Sequence, residues 1–316
     1  MKNISKVHVG VDVSKNKLDI YILEMKKHFV VPNNEDGLKE LLKELSKHSV
    51  EQIVCESSGG YENFMLKTLA KKGFKTWQVE PRRIKAFIIS EGIKAKTDAI
   101  DAHMIALFAS SKKCPNAPLC TKFTIDEEKL NAFSTRREQL KKILIAEKSR
   151  LRKNLNDPCM KLIEQHVNFI SNQIKKLDTD MKKIITANEN LARKAAIIQS
   201  MPGMGPVSAH NLIAEIPELG KLGKKEIASL LGVAPITKQS GTYNGAAHIY
   251  GGRANPRRIL YMASLSAVRH NPIMCEFYQR LINKGKKPKV ALVAVMRKMI
   301  VTTNVMIRND TMWMTA

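Results

Sequence analysis

Aromatic residues make up only 5% of this chain. Stacking along many successive bases therefore does not dominate whatever binding it does. Cysteine is scarce too. The five cysteines, at 55, 114, 120, 159 and 275, form no CxxC pair and no Cys/His set with zinc spacing. That excludes a zinc ribbon or a disulfide scaffold and suggests reduced thiols in a cytoplasm. The most apolar late stretch, VALVAVMRKMIVTTNVMI at 290–307, carries Arg297 and Lys298 at its middle. It reads as a buried or amphipathic helix rather than a membrane span. The opening MKNISKVHVG has no apolar signal region, so the expectation is a cytoplasmic protein without a membrane partner.

Acidic residues are scarce in the second part of the chain. Residues 1–110 hold 18 Lys and Arg against 14 Asp and Glu, whereas residues 111–316 hold 35 against 15. A surplus of that size repels itself unless an anion neutralises it. A polyanion such as nucleic acid is the first candidate, because each phosphate contacted releases counterions.

The 316 residues are enough for two or three domains with real cores. VHVGVDV (7–13) alternates with valine on one face, and KLDIYILE (17–24) and KHFVVP (27–32) follow after short turns. These predict an antiparallel meander. The period then changes. DGLKELLKELSK (36–47) is a helical leucine stripe, QIVCE (52–56) a strand, YENFMLKTLAKKG (61–73) a helix, FKTWQVE (74–80) a strand, and Pro81 starts a further helix. DAIDAHMIALFA (98–109) is a helix with Thr97 as its N-cap. A three-strand meander followed by βα units is the order of a ribonuclease H-like α/β domain, here residues 1–112. CPNAPLC (114–120) leads out of it. Residues 124–196 predict a helical coiled-coil arm of two long helices broken at Pro158. Residues 197–316 predict a mainly helical C-terminal domain, with a glycine-rich irregular stretch at 240–258 and helices at 255–269, 272–283 and 289–307.

Four carboxylates stand out. Asp12 sits in the first strand and Glu56 ends the fourth, which lies beside the first in a ribonuclease H-like sheet. Asp98 and Asp101, at i and i+3, share one face at a helix start. Taken alone, such an aspartate pair is more often a cap and dipole complement. Four carboxylates converging need a hard cation, and two Mg²⁺ ions would suit phosphoryl chemistry. GVDVSK, CESSGGYE and KTDAIDAHMIA, in this order, resemble the motifs of the DEDD-type transposases of bacterial insertion sequences, relatives of the Piv DNA invertase and of bridge-RNA-guided recombinases. The resemblance covers nearly the whole chain. It implies that Asp12, Glu56, Asp98 and Asp101 form an acidic tetrad binding Mg²⁺, with Mn²⁺ as a substitute, in a domain like that of the RuvC junction resolvase.

In the last third, PGMGP (202–206) before an apolar helix looks like a helix-hairpin-helix element, its Gly203 and Gly205 letting backbone N–H groups approach a phosphate. An ordinary turn before a core helix has the same sequence. Lys238, Arg253, Arg257 and Arg258 are candidate phosphate contacts. Arg257 and Arg258, at a helix start, sit against the helix dipole, which points to an external anion. Lys286 and Lys287, in KGKKPK (284–289), suit non-specific contact with a nucleic-acid backbone. By its surroundings Ser240 is a turn serine. The family resemblance makes it the nucleophile that forms a phosphoserine link to DNA, with Thr242 and Tyr243 as neighbouring hydroxyls. The resemblance further implies donor and target DNA as substrates, a bridge or guide RNA, a dimer or tetramer, and a bacterial source. A metal-dependent junction-resolving endonuclease using water as nucleophile is the alternative on the same carboxylates.

Overall fold

The computed structural model describes residues 6–93, 97–113, 124–153, 158–237, 239–240, 243–245 and 247–314. Two compact units emerge, Met1–Phe123 and Thr124–Ala316.

The first unit is built on one mixed sheet. Strands β1 (Lys6–Val13), β2 (Lys17–Ile22) and β3 (Lys27–Pro32) form the expected meander. Helix α1 (Glu35–Leu45) leads to β4 (Ser49–Glu56), α2 (Asn63–Lys71) to β5 (Thr76–Val79), and α3 (Pro81–Ser90) and α4 (Asp98–Ser111) follow. The strand order is β3-β2-β1-β4-β5. β1 runs antiparallel to β2 and parallel to β4, and β4 is parallel to β5. This is the ribonuclease H-like arrangement that the element order predicts. Alternation along the strands divides the core in two. Val7, Val9, Val11 and Val13 join Leu18, Ile20 and Ile53 under the leucines of α1 and α2. Val54, Trp77 and Val79 meet Ile84 of α3 and Ile105 and Phe108 of α4 on the other face.

The position of α4 follows from one residue. Gly10 of β1 lies directly beneath the α4 backbone. A Cβ at that position would collide with the Ala106 nitrogen and the Ala102 carbonyl oxygen, and would lie 2.8 Å from the Ala106 Cα. Glycine in a strand interior weakens the strand, but here it admits a close backbone approach. Gln52, buried in β4, donates to the carbonyls of Ala109 and Lys112 at the far end of α4, the latter at 2.7 Å. Tyr21 of β2 packs against His103, ring centroids 4.5 Å apart. These contacts hold α4 across the sheet with its N-terminus at the carboxyl ends of the strands.

The second unit opens with a helical hairpin, α5 (Ile125–Lys153) and α6 (Met160–Ala187). Contacts from Arg137 to Asp178 at 2.6 Å and from Glu147 to His166 at 3.4 Å show the two helices antiparallel. The second helix ends earlier than expected, because Asn188 caps a separate helix α7 (Glu189–Ser200) by accepting from the Leu191 N–H. Helices α8 (Pro206–Glu215) and α9 (Lys224–Leu230) follow. Four two-residue strands run from before the stretch expected to be irregular into it: β6 (Pro235–Ile236), β7 (Gln239–Ser240), β8 (Tyr243–Asn244) and β9 (His248–Ile249). β6 pairs with β9 and β7 with β8, giving an interrupted hairpin. α10 (Ala254–His270), α11 (Pro272–Asn283) and α12 (Pro288–Arg308) complete the unit. One core joins Leu130, Met181 and Ile185 of the arm's base to Ile198, Leu212, Leu260 and Met299. α12 is long and apolar enough to span a membrane, yet 50% of its most apolar window is buried inside the unit. Asn304, also buried, bonds the Gly220 N–H and the Leu222 carbonyl from that helix. These are the contacts of a core helix.

Substituting Gly10→Ala forces α4 off the sheet. The expected cost is about 3 kcal/mol, a fall of roughly 10 °C in the melting temperature of the first unit. Calorimetry of the full chain measures it, and an unchanged first transition would refute the close approach.

Candidate functional site

The carboxyl ends of β1 and β4 and the N-terminus of α4 bring acids together. Asp12 lies one residue from the end of β1, on the Gly10 face. It pairs in register with Asp19 of β2, and its carboxyl feels Asp101, Asp98 and Asp19. Glu56 is the last residue of β4. Val11 pairs with Cys55, so Glu56 comes next to Asp12 along neighbouring parallel strands, and alternation gives it the face of Val54. Asp98 and Asp101 occupy the first turn of α4, where Thr97 caps the helix by accepting from the Ile100 N–H at 3.2 Å. The helix-capping reading and the converging-acid reading of these aspartates are thus compatible.

The cluster is short of positive charge. Burial pushes the Asp12 carboxyl up from its ordinary 3.8, and repulsion from Asp101, Asp98 and Asp19 adds to it. Because the fold favours the protonated form, ionised Asp12 subtracts from stability as pH rises above that value. Lys17 offsets part of this. Its Nζ donates to the Asp98 Oδ2 at 2.7 Å and lies 3.1 Å from the Asp19 Oδ2. These partners raise the Lys17 pKa. Asp19, 4% exposed, has His28 Nε2 at 3.3 Å on its other oxygen. Neither Lys17 nor Asp19 was singled out in the sequence. The signal was there: Asp19 is the one acid in KLDIYI, and an acid inside a strand needs a partner.

Oxygen-only donors with excess negative charge suit a hard divalent cation. Among the described residues, no three His, Cys, Asp or Glu groups are gathered closely enough to hold one as they stand. The Lys17 ammonium holds Asp98, and an incoming cation would compete with it.

The loop after Glu56 is organised by a sixth acid. Glu62, 2% exposed, accepts from the Ser58 N–H at 3.2 Å, the Ser58 hydroxyl at 2.7 Å and the Gly60 N–H at 2.9 Å. Gln78 Nε2 donates to its other oxygen at 2.6 Å. Burial alone would raise the Glu62 pKa, but the bonds from Ser58 and Gly60 outweigh it and the carboxyl lies below its ordinary 4.5. Gly59 and Gly60 adopt φ of 78° and 114°, which explains the glycine pair in CESSGG.

In the second unit Ser240 is exposed on the last paired rung of the hairpin, opposite Tyr243. Lys238 and Thr242 lie outside the described residues. The basic candidates are partly engaged inside the unit. Arg253 donates to both Glu218 oxygens, at 2.7 and 2.8 Å, and to the Glu215 carbonyl at 2.8 Å. Arg257 donates to the carbonyls of Leu231 and Gly251, and Arg258 pairs with Glu138 at 2.5 Å. Their place at a helix start therefore has an internal explanation. So does Gly203: at φ 103° a Cβ there would lie 2.6 Å from that of Ala267. Gly205 is the N-cap of α8 and open to its surroundings. Lys286 lines a cavity of about 420 Å³ with His248 of the hairpin, Lys289 and Arg297, and Lys287 precedes α12 as its N-cap.

Comparison with known proteins matches two parts of the chain, the first of which runs past the first unit into the helical hairpin. Residues 9–160 match a family described as transposase, of the DEDD type. Residues 195–279 match the transposase IS116/IS110/IS902 family. The chain is 27% identical over 317 residues to the pilin gene-inverting proteins of Moraxella bovis and Moraxella lacunata, covering 97% of each chain. It is also 27% identical over 164 residues to a 42 kDa protein of insertion element IS900 from Mycobacterium paratuberculosis, covering 49% of this chain and 41% of that one.

Two substitutions separate the acids by role. Asp12→Asn removes a repelled charge and is expected to raise the metal-free melting temperature by roughly 4 °C at neutral pH, while shrinking the stabilisation that added Mg²⁺ gives the native chain. Glu62→Gln is expected to cost about 2 kcal/mol at neutral pH. That loss fades as pH falls below 4.5, where Glu62 itself becomes protonated in the unfolded chain. Thermal melts across pH, with and without Mg²⁺, measure both.

Proposed function

This chain belongs to the IS116/IS110/IS902 family of DEDD-type transposases, enzymes that cut and transfer DNA strands, and we propose that it does so through a covalent phosphoserine at Ser240. The observation that supports the reading best is the charge deficit around Asp12, where Asp19, Asp98 and Asp101 converge at the strand ends. Asp12, Glu56, Asp98 and Asp101 would hold Mg²⁺, which supplies charge stabilisation for the oxygens of the transferring phosphoryl group. Their own role is to bind and orient, and Lys17 offsets part of their charge through its bond to Asp98.

In this proposal Ser240 Oγ loses its proton and bonds to phosphorus, while one phosphorus–deoxyribose oxygen bond breaks and that oxygen leaves as a hydroxyl. Rejoining is the reverse exchange with a hydroxyl of a new DNA end, which frees the serine. One phosphodiester is exchanged for another, so no external energy source is needed. Gly203, Gly205, Lys238, Arg253, Arg257, Arg258, Lys286 and Lys287 are proposed on the nucleic-acid side. The internal bonds of Arg253, Arg257 and Arg258 and the packing of Gly203 make those four the weaker members, and the exposed Lys286 and Lys287 the stronger. Residues 1–112, 124–196 and 197–316 would act as metal-binding, arm and serine-bearing modules of a dimer or tetramer in the bacterial cytoplasm. The basic excess of the second part suits a structured guide RNA as well as donor and target DNA.

Incubation with a target duplex and Mg²⁺, then denaturing electrophoresis and mass spectrometry, is expected to reveal a phosphonucleotide on Ser240. Ser240→Ala should abolish the adduct and leave the Mg²⁺-induced rise in melting temperature intact. An adduct that persists in Ser240→Ala would move the nucleophile to Thr242 or Tyr243. Cleavage without any adduct would favour the water-using endonuclease. Nuclease-sensitive RNA copurifying with the chain tests the guide.

A further inference from the structure

Between α5, α8 and α10 the second unit has an open cavity of about 600 Å³ that the chemistry at Ser240 and at the acids does not use. Its walls combine two kinds of group. Lys141 and Lys142 of α5 stand on it together with Arg257 of α10. Arg137, Arg257 and Arg258, on the same wall, are held by Asp178, by the carbonyls of Leu231 and Gly251, and by Glu138. Lys141 and Lys142 form no ion pair among the described residues, so their charge faces outward. The rest of the lining is largely apolar. Ile145, Val207, Tyr261 and Met262 all reach the cavity, and they are 66%, 47%, 36% and 63% exposed. Apolar groups gathered in one concavity beside lysines suit a ligand that is itself part apolar and part charged.

Double-helical nucleic acid does not cover such a surface, because it presents phosphates outward and keeps its bases stacked inside. A nucleotide taken out of pairing offers both chemistries at once: a flat apolar base and a charged backbone on either side. The cavity is within the size range of small-ligand sites, and a tyrosine ring is a stacking platform for any base. Resting on the nucleic-acid reading above, we propose that this cavity holds one unpaired nucleotide, its base against Tyr261 and Met262 and its flanking phosphates on Lys141 and Lys142. It is a binding site distinct from Ser240 and from the acids.

The experiment is equilibrium binding of the full chain, by fluorescence anisotropy, to short labelled single strands of DNA and of RNA and to the DNA duplex of the same sequence. Tyr261→Ala is expected to weaken single-strand binding about tenfold, in line with the loss of one base stack. Tyr261→Phe should keep native affinity, and duplex binding should be unchanged in both variants. Lys141→Ala with Lys142→Ala should weaken single-strand binding and reduce its salt dependence. Strands carrying 5-iodouracil should photocrosslink to Tyr261, and whichever of the DNA or RNA strands does so identifies the source of the nucleotide. Native single-strand affinity in Tyr261→Ala, or crosslinks only at other residues, overturns the cavity assignment while leaving the transposase reading in place. Failure of the native chain to bind any of the three nucleic acids overturns both.

Discussion

The contact between Gly10 and the backbone of α4 is the constraint on which the first unit depends. The sheet could accept a helix at many heights and angles. A missing Cβ on β1 selects one, and Gln52 fixes the far end of the helix by occupying its last carbonyls. With the helix placed, its first turn must arrive where β1 and β4 end. Asp98 and Asp101 are then neighbours of Asp12 as a consequence of packing, without any attraction among the acids themselves, which repel.

That repulsion is resolved in two different ways within one small region. Glu62 is buried and comfortable, because hydroxyl and amide donors converge on it. Asp12 is less deeply buried and uncomfortable, because its neighbours are other acids. The first carboxylate shapes a loop; the second is kept at a cost in stability, as functional groups often are. Lys17 reduces that cost without removing it. The basic excess sits in the other unit, where several arginines are consumed by the fold and Lys141 and Lys142 of α5 and Lys286 and Lys287 before α12 are exposed.

Much of this was legible in the sequence because it is periodic. The valines of 7–13 and the leucines of 36–47 declare their faces, and the four acids proposed to hold a metal fall on three motifs in order. What escaped has a physical reason in each case. Gly10 reads as an ordinary strand glycine, since its partners Ala102 and Ala106 are remote in the chain. Arg257 and Arg258 look unsatisfied at a helix start because their acceptors, the carbonyls of Leu231 and Gly251 and the carboxylate of Glu138, come from other elements. Asp19 was concealed among strong strand formers. The hairpin at 235–249 has paired segments of two residues, too short for any period to register. Ser240 carries no local mark, and its assignment to chemistry comes from family resemblance.

The hairpin has a mechanical consequence. It is rooted where Gly232 and Gly252 touch backbone to backbone, and Ser240 is five residues beyond Pro235. At about 3.3 Å per residue five residues reach at most roughly 17 Å. A tilt of about 10° at the root would swing the hydroxyl by up to about 3 Å, far more than the ~0.5 Å within which a reacting group must be held. Two short ladders cannot supply such stiffness. On the proposed reading of Ser240 as nucleophile, its aim would be set by whatever the hairpin lies against, so the substrate assembly would act as the jig for its own cutting tool.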